Sequence, residues 1–281
     1  MPDLMSLSAP AVSSLGPTAG PVRGPRRSRY GVPQVVRAEV IKLRSLRSTK
    51  WTMLAVVAGS LLVTFLATHS IERQGRGAFI GFDPTNVSLT GLALGSLAIG
   101  VLGVLAITGE YGSGTIRASL AATPRRPLFL AGKAVVVGAV SLAVGEVMTF
   151  ACFFLGQGIL SGHAPTAAIG QPGVLSALVL SGTYLALLGL FGLGLGLIIR
   201  NTAGALAAFV GILFLLPLVL QPLAAQGNPG RFTPELILAN SVATVVHQAG
   251  QLSPATGFLW MVFYCAVTLV AGGLVIAHRE A

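Results

Sequence analysis

The chain contains 281 residues, of which 53% are hydrophobic and only 9% are charged, and its formal net charge is +10. Soluble domains carry roughly 25% charged residues, so this composition excludes an ordinary soluble enzyme and indicates a protein embedded in the lipid bilayer. Basic residues in such a protein indicate its membrane topology, and no nucleic-acid partner is expected.

The N-terminal part of the chain is first polar and then basic. Residues 1–31 are rich in Pro, Ser, Gly and Arg, which predicts a disordered cytoplasmic tail. Residues 32–50 place apolar side chains at helical spacing beside basic ones, and Pro33 suits a first helical turn. This pattern predicts an amphipathic helix in the membrane interface, with its basic side toward anionic headgroups. A simple basic extension of the first span is the alternative.

Six apolar segments are long enough to cross the hydrocarbon core, which requires about 20 residues. They cover residues 51–68, 87–108, 130–160, 174–199, 202–220 and 256–277. The third segment is so long that it must tilt or begin outside the membrane. Pro217 and Pro222 predict a kink or an end of the helix near the end of the fifth segment. The sequence therefore predicts an all-α integral membrane protein, with six transmembrane helices in residues 51–281.

The positive charges lie mainly on one side of this predicted arrangement. Fifteen of the eighteen Lys and Arg residues fall in the N-terminal segment, the 109–133 connection, the 200–201 turn or the C-terminus. The positive-inside rule assigns the richer side to the cytoplasm. The expected protein is therefore a multi-pass protein of the cell (plasma) membrane with both termini in the cytoplasm.

The connection between the fifth and sixth spans contains a short apolar piece. Residues 235–247 read ELILANSVATVVH, which is too short and too polar to cross a membrane. A re-entrant or interfacial helix and an ordinary loop both remain open for this piece.

No catalytic set is visible along the chain. The sequence has no G-x-x-x-x-G-K-[ST] phosphate loop, no G-x-S-x-G elbow and no H-E-x-x-H motif, and its four histidines are scattered. These patterns would be the signals of nucleotide binding, acyl transfer and zinc chemistry. No catalytic, cofactor-binding or metal-binding residue is therefore predicted, and the chain itself is not expected to be an enzyme.

Glu146 is the one acidic residue in the middle of a predicted span. A charge at mid-bilayer costs on the order of 3 kcal/mol, so this side chain is expected to face the protein interior or a water-filled path. A protonated, hydrogen-bonded structural glutamate and a residue on the substrate path both remain open.

The connection between the second and third spans, residues 109–133, reads GEYGSGTIRASLAATPRRPLFLAGK. Its charges exclude it from hydrocarbon, so it must face water. Ser113 or Thr115 suits the cap of a short helix over residues 116–122, and Pro124 ends that helix because the residue before a proline resists the helical conformation.

This short helix has an apolar side. Ile116 and Leu120 lie four positions apart and share one face, with charged residues around them. Such a helix suits insertion into a groove of a soluble partner. A solvated basic loop that only fixes the topology is the alternative.

Two patches of the sequence resemble one family. The 109–133 connection resembles the loop between the second and third spans of type-2 exporter permeases, which are membrane-spanning subunits of ATP-binding cassette (ABC) transporters. The segment before the first span resembles the interfacial helix of the same permeases, and the rest of the chain agrees in hydropathy alone. The matching residues are Gly109-Glu110-Tyr111, Gly114-Thr115-Ile116-Arg117, Ser119-Leu120, Pro124-Arg125-Arg126 and Lys133, and upstream Arg37-Ala38-Glu39, Lys42-Leu43 and Ser45.

The resemblance implies a six-span permease that pairs as a homodimer or heterodimer and works with a separate ABC ATPase subunit, which holds ATP and Mg. The 109–133 loop would contain a coupling helix that sits in a cleft of the ATPase and transmits its closure to the spans. Glu110 would anchor this region by pairing with a basic residue, and Ile116 and Leu120 would contact the ATPase. Three arginines, Arg117, Arg125 and Arg126, would lie near the ATPase or the lipid headgroups. The implied coupling residues are Glu110, Tyr111, Gly114, Thr115, Ile116, Arg117, Leu120, Arg125 and Arg126, and the implied interfacial-helix residues are Arg37, Glu39, Lys42 and Arg44.

The expected function is therefore that of an ABC exporter permease that moves an unidentified substrate by alternating access. One alternative is a secondary transporter in which Glu146 relays protons or binds a cation, although no internal repeat or clearly broken helix pair supports it. The other alternative is a non-transporting membrane scaffold or assembly protein, which leaves the 109–133 pattern unexplained. The Ala- and Gly-rich composition is associated with bacterial genomes rich in GC.

Overall fold

Long apolar runs of this chain form helices, because a helix satisfies its own backbone N–H and C=O groups where no water is present. The computed structural model describes residues 31–45, 47–72, 82–122, 125–226, 229–244 and 252–279, which lie in the unit Gly31–Ala281. Within these ranges no residue belongs to a β-strand. The α-helices are α1 Val32–Ser45, α2 Arg47–Glu72, α3 Pro84–Ser88, α4 Leu92–Gly112, α5 Ile116–Ala122, α6 Arg126–Leu160, α7 Val174–Ile199, α8 Thr202–Val210, α9 Leu216–Leu220, α10 Pro234–Ser241 and α11 Pro254–Arg279.

Six helical segments are long and apolar enough to cross a membrane, which confirms the number of predicted spans. The longest, α6, has 35 residues, so at about 1.5 Å per residue it is longer than a hydrocarbon core of about 30 Å. The chain therefore has the features of a helical multi-pass membrane protein. The six segments are Trp51–Ile71, Leu92–Gly112, Arg126–Leu160, Val174–Ile199, Thr202–Leu223 and Pro254–His278.

The predicted start of the second span at residue 87 is wrong, because a separate short helix lies there. Asp83 caps α3 by accepting hydrogen bonds from the N–H groups of Thr85 and Asn86 at 3.0 and 3.1 Å. Pro84 occupies the first turn. A capping carboxylate followed by proline is a strong helix start, so the chain makes one short helix and a turn before α4 begins.

The fifth span changes its helical geometry before Pro217 and again around Pro222. Residues Gly211–Leu215 form a π-helical turn, which ends two residues before Pro217. The N–H of Leu216 donates to the carbonyl of Gly211, a longer step than in an α-helix. Around Pro222 the chain tightens into a 3₁₀ helix over Gln221–Gln226.

The predicted interfacial helix over residues 32–50 is shorter than expected. It ends at Ser45, and residues 47–50 already belong to the first long helix α2. Val35 on α1 is buried and packs on α6, where a Cβ atom at Gly132 would lie 2.5 Å from the Cγ1 atom of Val35. Ile41 on another side of α1 is 59% exposed, so α1 has one face on the bundle and one apolar face away from it. The predicted tail lies outside the described residues, apart from Gly31.

Helix α7 forms the centre of the bundle and packs against α4, α6 and α11. Its glycines let the backbones touch: a Cβ atom at Gly103 of α4 would lie 2.0 Å from the carbonyl oxygen of Gly189 of α7. A Cβ atom at Gly192 would lie 2.3 Å from the carbonyl oxygen of Gly100. Small residues at these crossings therefore permit close helix packing in the absence of a strong hydrophobic drive between helices.

The apolar piece between the fifth and sixth spans contains a short helix in its first part. Helix α10 covers Pro234–Ser241, and Ile237 and Leu238 are buried in the main apolar cluster. The side chain of Tyr184 on α7 donates to the carbonyl of Pro234. Residues 245–247 lie outside the described part of the chain.

Candidate functional site

A buried lysine joins three helices at one end of the bundle. Lys133 of α6 is 2% exposed, and its ammonium group donates to Glu39 of α1 at 2.9 Å and to Glu110 of α4 at 2.9 Å. Its third hydrogen bond goes to the backbone carbonyl of Ala106 at 3.2 Å. A lysine ammonium has three N–H donors, and all three are used. We call this group of Lys133, Glu39 and Glu110 the Lys133 junction.

The Lys133 junction explains why charged residues are tolerated at the end of apolar helices. A buried charge is costly unless it is paired and hydrogen-bonded, and here the ammonium meets two carboxylates. The ring of Phe129, one turn earlier on α6, has its centroid 5.5 Å from the ammonium nitrogen, close enough for a cation–π contribution. The junction therefore fixes the relative positions of α1, α4 and α6.

The predicted pairing of Glu110 with a basic residue is present, and the structure identifies Lys133 as its partner. The pairing of Glu39 with Lys133 was not predicted from the sequence. The sequence feature that could have predicted this pairing is the position of Lys133 inside an apolar helix. A lysine that cannot reach water needs a carboxylate from another element.

The region predicted as a loop over residues 109–133 is mostly helical. Helix α4 continues to Gly112, α5 covers Ile116–Ala122 as predicted, and α6 already begins at Arg126. The end of helix α5 agrees with the stop expected from Pro124, although Pro124 itself lies outside the described residues.

The turn between α4 and α5 depends on a glycine and two hydroxyl groups. Gly114 has a φ of +71°, a left-handed conformation that glycine adopts without strain. The hydroxyl of Ser113 donates to the carbonyl of Gly109 at 2.8 Å and therefore closes α4 instead of capping α5. It also lies 2.9 Å from the hydroxyl of Thr115, whose own backbone carbonyl accepts the N–H of Ser119.

Helix α5 turns its apolar face toward the spans. Ile116 is only 6% exposed and packs in a cluster with Ile107 and Phe129, and Leu120 is half-buried against the same cluster. This placement does not agree with the implied contact of Ile116 with an ATPase, because its side chain is already covered by the chain itself. The outer face of α5 instead exposes Arg117, together with Ala118 and Ala121.

Arginines connect this region to the end of the last span. Arg126 donates to the carbonyls of Ile276 and Ala277 at 2.9 and 2.7 Å, and Arg200 donates to the carbonyl of Val275 at 2.9 Å. The last carbonyls of a helix have no partner within the helix and carry partial negative charge. The two arginines therefore hold the C-terminal end of α11 beside α6 and the 200–201 turn.

Tyr111 belongs to the same end of the bundle. The guanidinium carbon of Arg200 lies 5.4 Å from the centroid of the Tyr111 ring. Arg200 caps α7 with a φ of 59°, an uncommon conformation for a residue other than glycine, which marks the tight turn between α7 and α8. Tyr111 is thus placed between the end of α4 and the turn after α7.

The remaining implied site residues are on the surface of this end or outside the described side chains. Arg37 on α1 and Arg125 before α6 are exposed, as are Gly114 and Thr115. Lys42 and Arg44 lie within α1, but their side chains are not among those described.

Glu146 does not belong to this end of the bundle. It lies about 13 residues after Lys133 on α6, which corresponds to roughly 20 Å along a helix. Its carboxyl group faces α7, where a Cβ atom at Gly182 would lie 2.4 Å from the carboxyl carbon. The implied coupling residues and the one mid-span acid are therefore separate features of the molecule.

The fold and the Lys133 junction characterise a helical multi-pass membrane protein with an organised polar end. Among the described residues, no group of three or more His, Cys, Asp or Glu side chains is placed to hold a metal ion. No protein-family model matches the chain, and no curated protein matches it in sequence.

Proposed function

We propose that the chain is the membrane-spanning permease subunit of an ABC transporter, which exports a substrate by alternating access. In this proposal a separate ATPase subunit binds ATP and Mg and docks on α5. The observation that carries the proposal is the Lys133 junction near α5, because α5 packs in one apolar cluster with Phe129 of α6 and the junction joins α6 to α1 and α4.

In this proposal, a force on the outer face of α5 reaches the membrane through the contacts around α5. Ile116 fixes the helix against the spans, and Glu110 and Lys133 join α4 to α6 and α1. Arg126 extends the connection to the end of α11. Displacement of α5 therefore acts on α1, α4, α6 and α11 together, as a coupling element of a transporter must.

The outer face of α5 suits an acidic groove with little free space. Ala118 and Ala121 are exposed and small, so a partner backbone can approach closely. Arg117 and Arg125 are exposed beside them and favour carboxylates on the partner, since arginine presents several donors in a fixed fork. Ile116 and Leu120 face the spans, so in this proposal the ATPase contacts Arg117, Ala118 and Ala121.

The proposal includes a topology and an assembly. The end that contains the Lys133 junction is cytoplasmic, in agreement with the positive-inside rule, and both termini of the chain lie on that side of the cell membrane. Helix α1 lies at the interface, where exposed Arg37 and exposed Ile41 match headgroup and acyl chain, respectively. Two permease chains, identical or different, pair with two ATPase subunits.

The test of this function is co-purification from membranes of the native host. The tagged full-length chain should co-elute with an ATP-hydrolysing subunit in constant ratio. Arg117→Glu should lower the associated ATPase activity about tenfold or more, because placing like charges opposite one another costs several kcal/mol. Gln171→Glu provides the matched control, since Gln171 is exposed in the connection between α6 and α7, and it should leave the association unchanged.

Two outcomes contradict the proposal. One is a wild-type chain that purifies without any ATPase and transports under a proton gradient, which would favour the secondary transporter. The other is an ATPase association that Arg117→Glu and Gln171→Glu affect equally, which would place the docking surface elsewhere.

A further inference from the structure

Glu146 is a carboxyl group in the middle of a span that the coupling machinery does not use. It lies about 20 residues after the start of α6 and about 14 before its end. Among the described side chains, both ion pairs are made by Lys133, and no basic group is paired with Glu146. Its Oε2 atom is buried and accepts no hydrogen bond from the described part of the protein.

The carboxyl group rests in a notch on α7 that exists because residue 182 is glycine. A Cβ atom at Gly182 would lie 2.4 Å from the carboxyl carbon and 2.6 Å from each carboxyl oxygen of Glu146. The hydroxyl of Thr183, the next residue on α7, donates to the carbonyl of Val179 at 2.8 Å. Gly145 brings the helices together at this level, since a Cβ atom there would lie 2.9 Å from the carbonyl oxygen of Gly182.

The notch opens toward the surface that faces lipid. Val147, next to Glu146 on α6, is 64% exposed, Leu142 is 39% exposed, and Val179 on α7 is 44% exposed. Glu146 itself is half-buried at the edge of these apolar side chains. A ligand would therefore reach the carboxyl group from the bilayer and not from the aqueous ends of the bundle.

We call the region between α6 and α7 around Glu146 the seam. Its chemistry determines which class of ligand can bind there. An ionised carboxylate is costly in hydrocarbon, so it favours a cation that is itself soluble in the membrane. A protonated amine donates charge-assisted hydrogen bonds to carboxylate oxygens, and an apolar body would lie against Val147 and Val179. A carboxylate with an unused oxygen beside exposed apolar side chains therefore matches a lipophilic ammonium compound.

We propose that Glu146, in the seam between α6 and α7, binds lipophilic ammonium compounds that enter from the bilayer. On binding, the carboxyl group leaves the Gly182 notch and turns toward the exposed side of the seam. As a statement about transport this rests on the function proposed above, because it names the substrate class of that exporter. Binding itself does not depend on the ATPase.

The test measures binding of a dansyl-labelled hexylammonium probe to the full chain in nanodiscs of zwitterionic phosphatidylcholine. A dansyl hexanol of the same length reports apolar binding without the charge, and empty nanodiscs report partition into lipid. The chain should bind the ammonium probe about tenfold more tightly than the alcohol, which corresponds to one charge-assisted hydrogen bond. Glu146→Gln should abolish this preference, whereas the control Glu235→Gln, outside the spans, should retain it.

A second measurement uses the unaltered chain and so does not depend on how a variant folds. A lipophilic carbodiimide should label Glu146, as detected by mass spectrometry of the peptide, and saturating ammonium probe should protect it while the alcohol should not. Absence of labelling, or labelling that the ammonium probe leaves unchanged, overturns the proposal.

Three further outcomes also overturn it. They are equal affinity of the wild-type chain for the two probes, a charge preference that survives Glu146→Gln, and a change of oligomeric state in Glu146→Gln, which would make the seam an interface between copies. None of these bears on ATPase association, so failure of this site and failure of the proposed function are distinguishable.

Discussion

Two polar contacts tie distant parts of the chain together at the two ends of the bundle, and they are built differently. At one end, the Lys133 junction joins α1, α4 and α6 through charged groups, with Nζ–O distances of 2.9 Å. At the other, Asp83 before α3 accepts hydrogen bonds from the backbone N–H and the hydroxyl of Thr244 at 2.6 and 2.9 Å. The Lys133 junction contains two ion pairs between charged side chains. The groups that Thr244 offers to Asp83, an N–H and a hydroxyl, are neutral donors.

This difference has consequences for stability. Separating buried ion pairs exposes charges to a medium that cannot solvate them, so the Lys133 junction should hold together whenever the protein is folded. Asp83 is also buried, and leaving a buried hydrogen-bonding group without its partner costs about 1–3 kcal/mol. The Lys133 junction is therefore expected to cost more to break than the contacts of Asp83 with Thr244.

The largest effect is expected from Lys133→Met, which keeps the length of the side chain and removes its charge. Glu39 and Glu110 then lose their common ammonium group inside the protein, and removal of one partner of a buried pair typically costs about 3–5 kcal/mol. The thermal unfolding midpoint of the purified chain in detergent, followed by tryptophan fluorescence, should fall strongly.

The matched control combines Lys133→Met with Glu39→Gln and Glu110→Gln. This triple variant has no buried charge at the junction and should recover most of the lost stability. A triple variant as unstable as Lys133→Met would show that packing of the lysine stem, and not charge pairing, holds this end together.

A smaller effect is expected at the other end, from Asp83→Ala. The substitution removes the cap of α3 and both hydrogen bonds from Thr244. Loss of a helix cap costs about 1 kcal/mol, and unmet buried donors add an amount of the same order. The same unfolding measurement should show about half of the decrease caused by Lys133→Met.

The control at this end is Asp83→Asn, which keeps one oxygen for the cap and should cost less than Asp83→Ala. If Asp83→Ala destabilises the protein as strongly as Lys133→Met, the two ends do not differ in the way their contacts indicate.

The elements of the fold were largely predictable, because bilayer solvation imposes long apolar helices that are visible in the sequence. The number of spans and the short helix over residues 116–122 are confirmed. The start of the second span was wrong, since hydropathy does not distinguish one long helix from a short capped helix at Pro84 followed by a turn. Local signals such as the Asp83 cap decide such boundaries.

The contacts of the candidate site were only partly predictable. The resemblance implied a basic partner for Glu110, but the identity of that partner, Lys133, depends on how α4 and α6 pack. The inward orientation of Ile116 could not be read from the pattern, because an apolar residue on a surface helix suits either the bundle or a partner. Only the packing of α5 on Ile107 and Phe129 decides between them.

The smallest effect concerns Glu235, a carboxyl group on α10, the helix that precedes Thr244. Burial raises the pKa of the Glu235 carboxyl group. The folded state therefore binds this proton more tightly than the unfolded chain, in which the pKa of a glutamate is about 4.3. The favourable contribution of this group is therefore complete below the unfolded pKa and is lost as the pH rises through the folded pKa. The side chain is half-exposed, so solvent screening keeps the effect below about 1 kcal/mol.

Replacing this carboxyl group with an amide should remove the pH dependence. Glu235→Gln should raise the unfolding midpoint slightly at about pH 7 and leave it unchanged at about pH 3, which is well below the unfolded pKa, so that both states carry the proton. An equal shift at both pH values would mean that the amide changes packing and not ionisation. A lower midpoint at about pH 7 would mean that the charge is stabilised in the first turn of α10 by the helix dipole. In that case the Glu235 carboxyl group, like those of the Lys133 junction, would be stabilised by the protein in its ionised form.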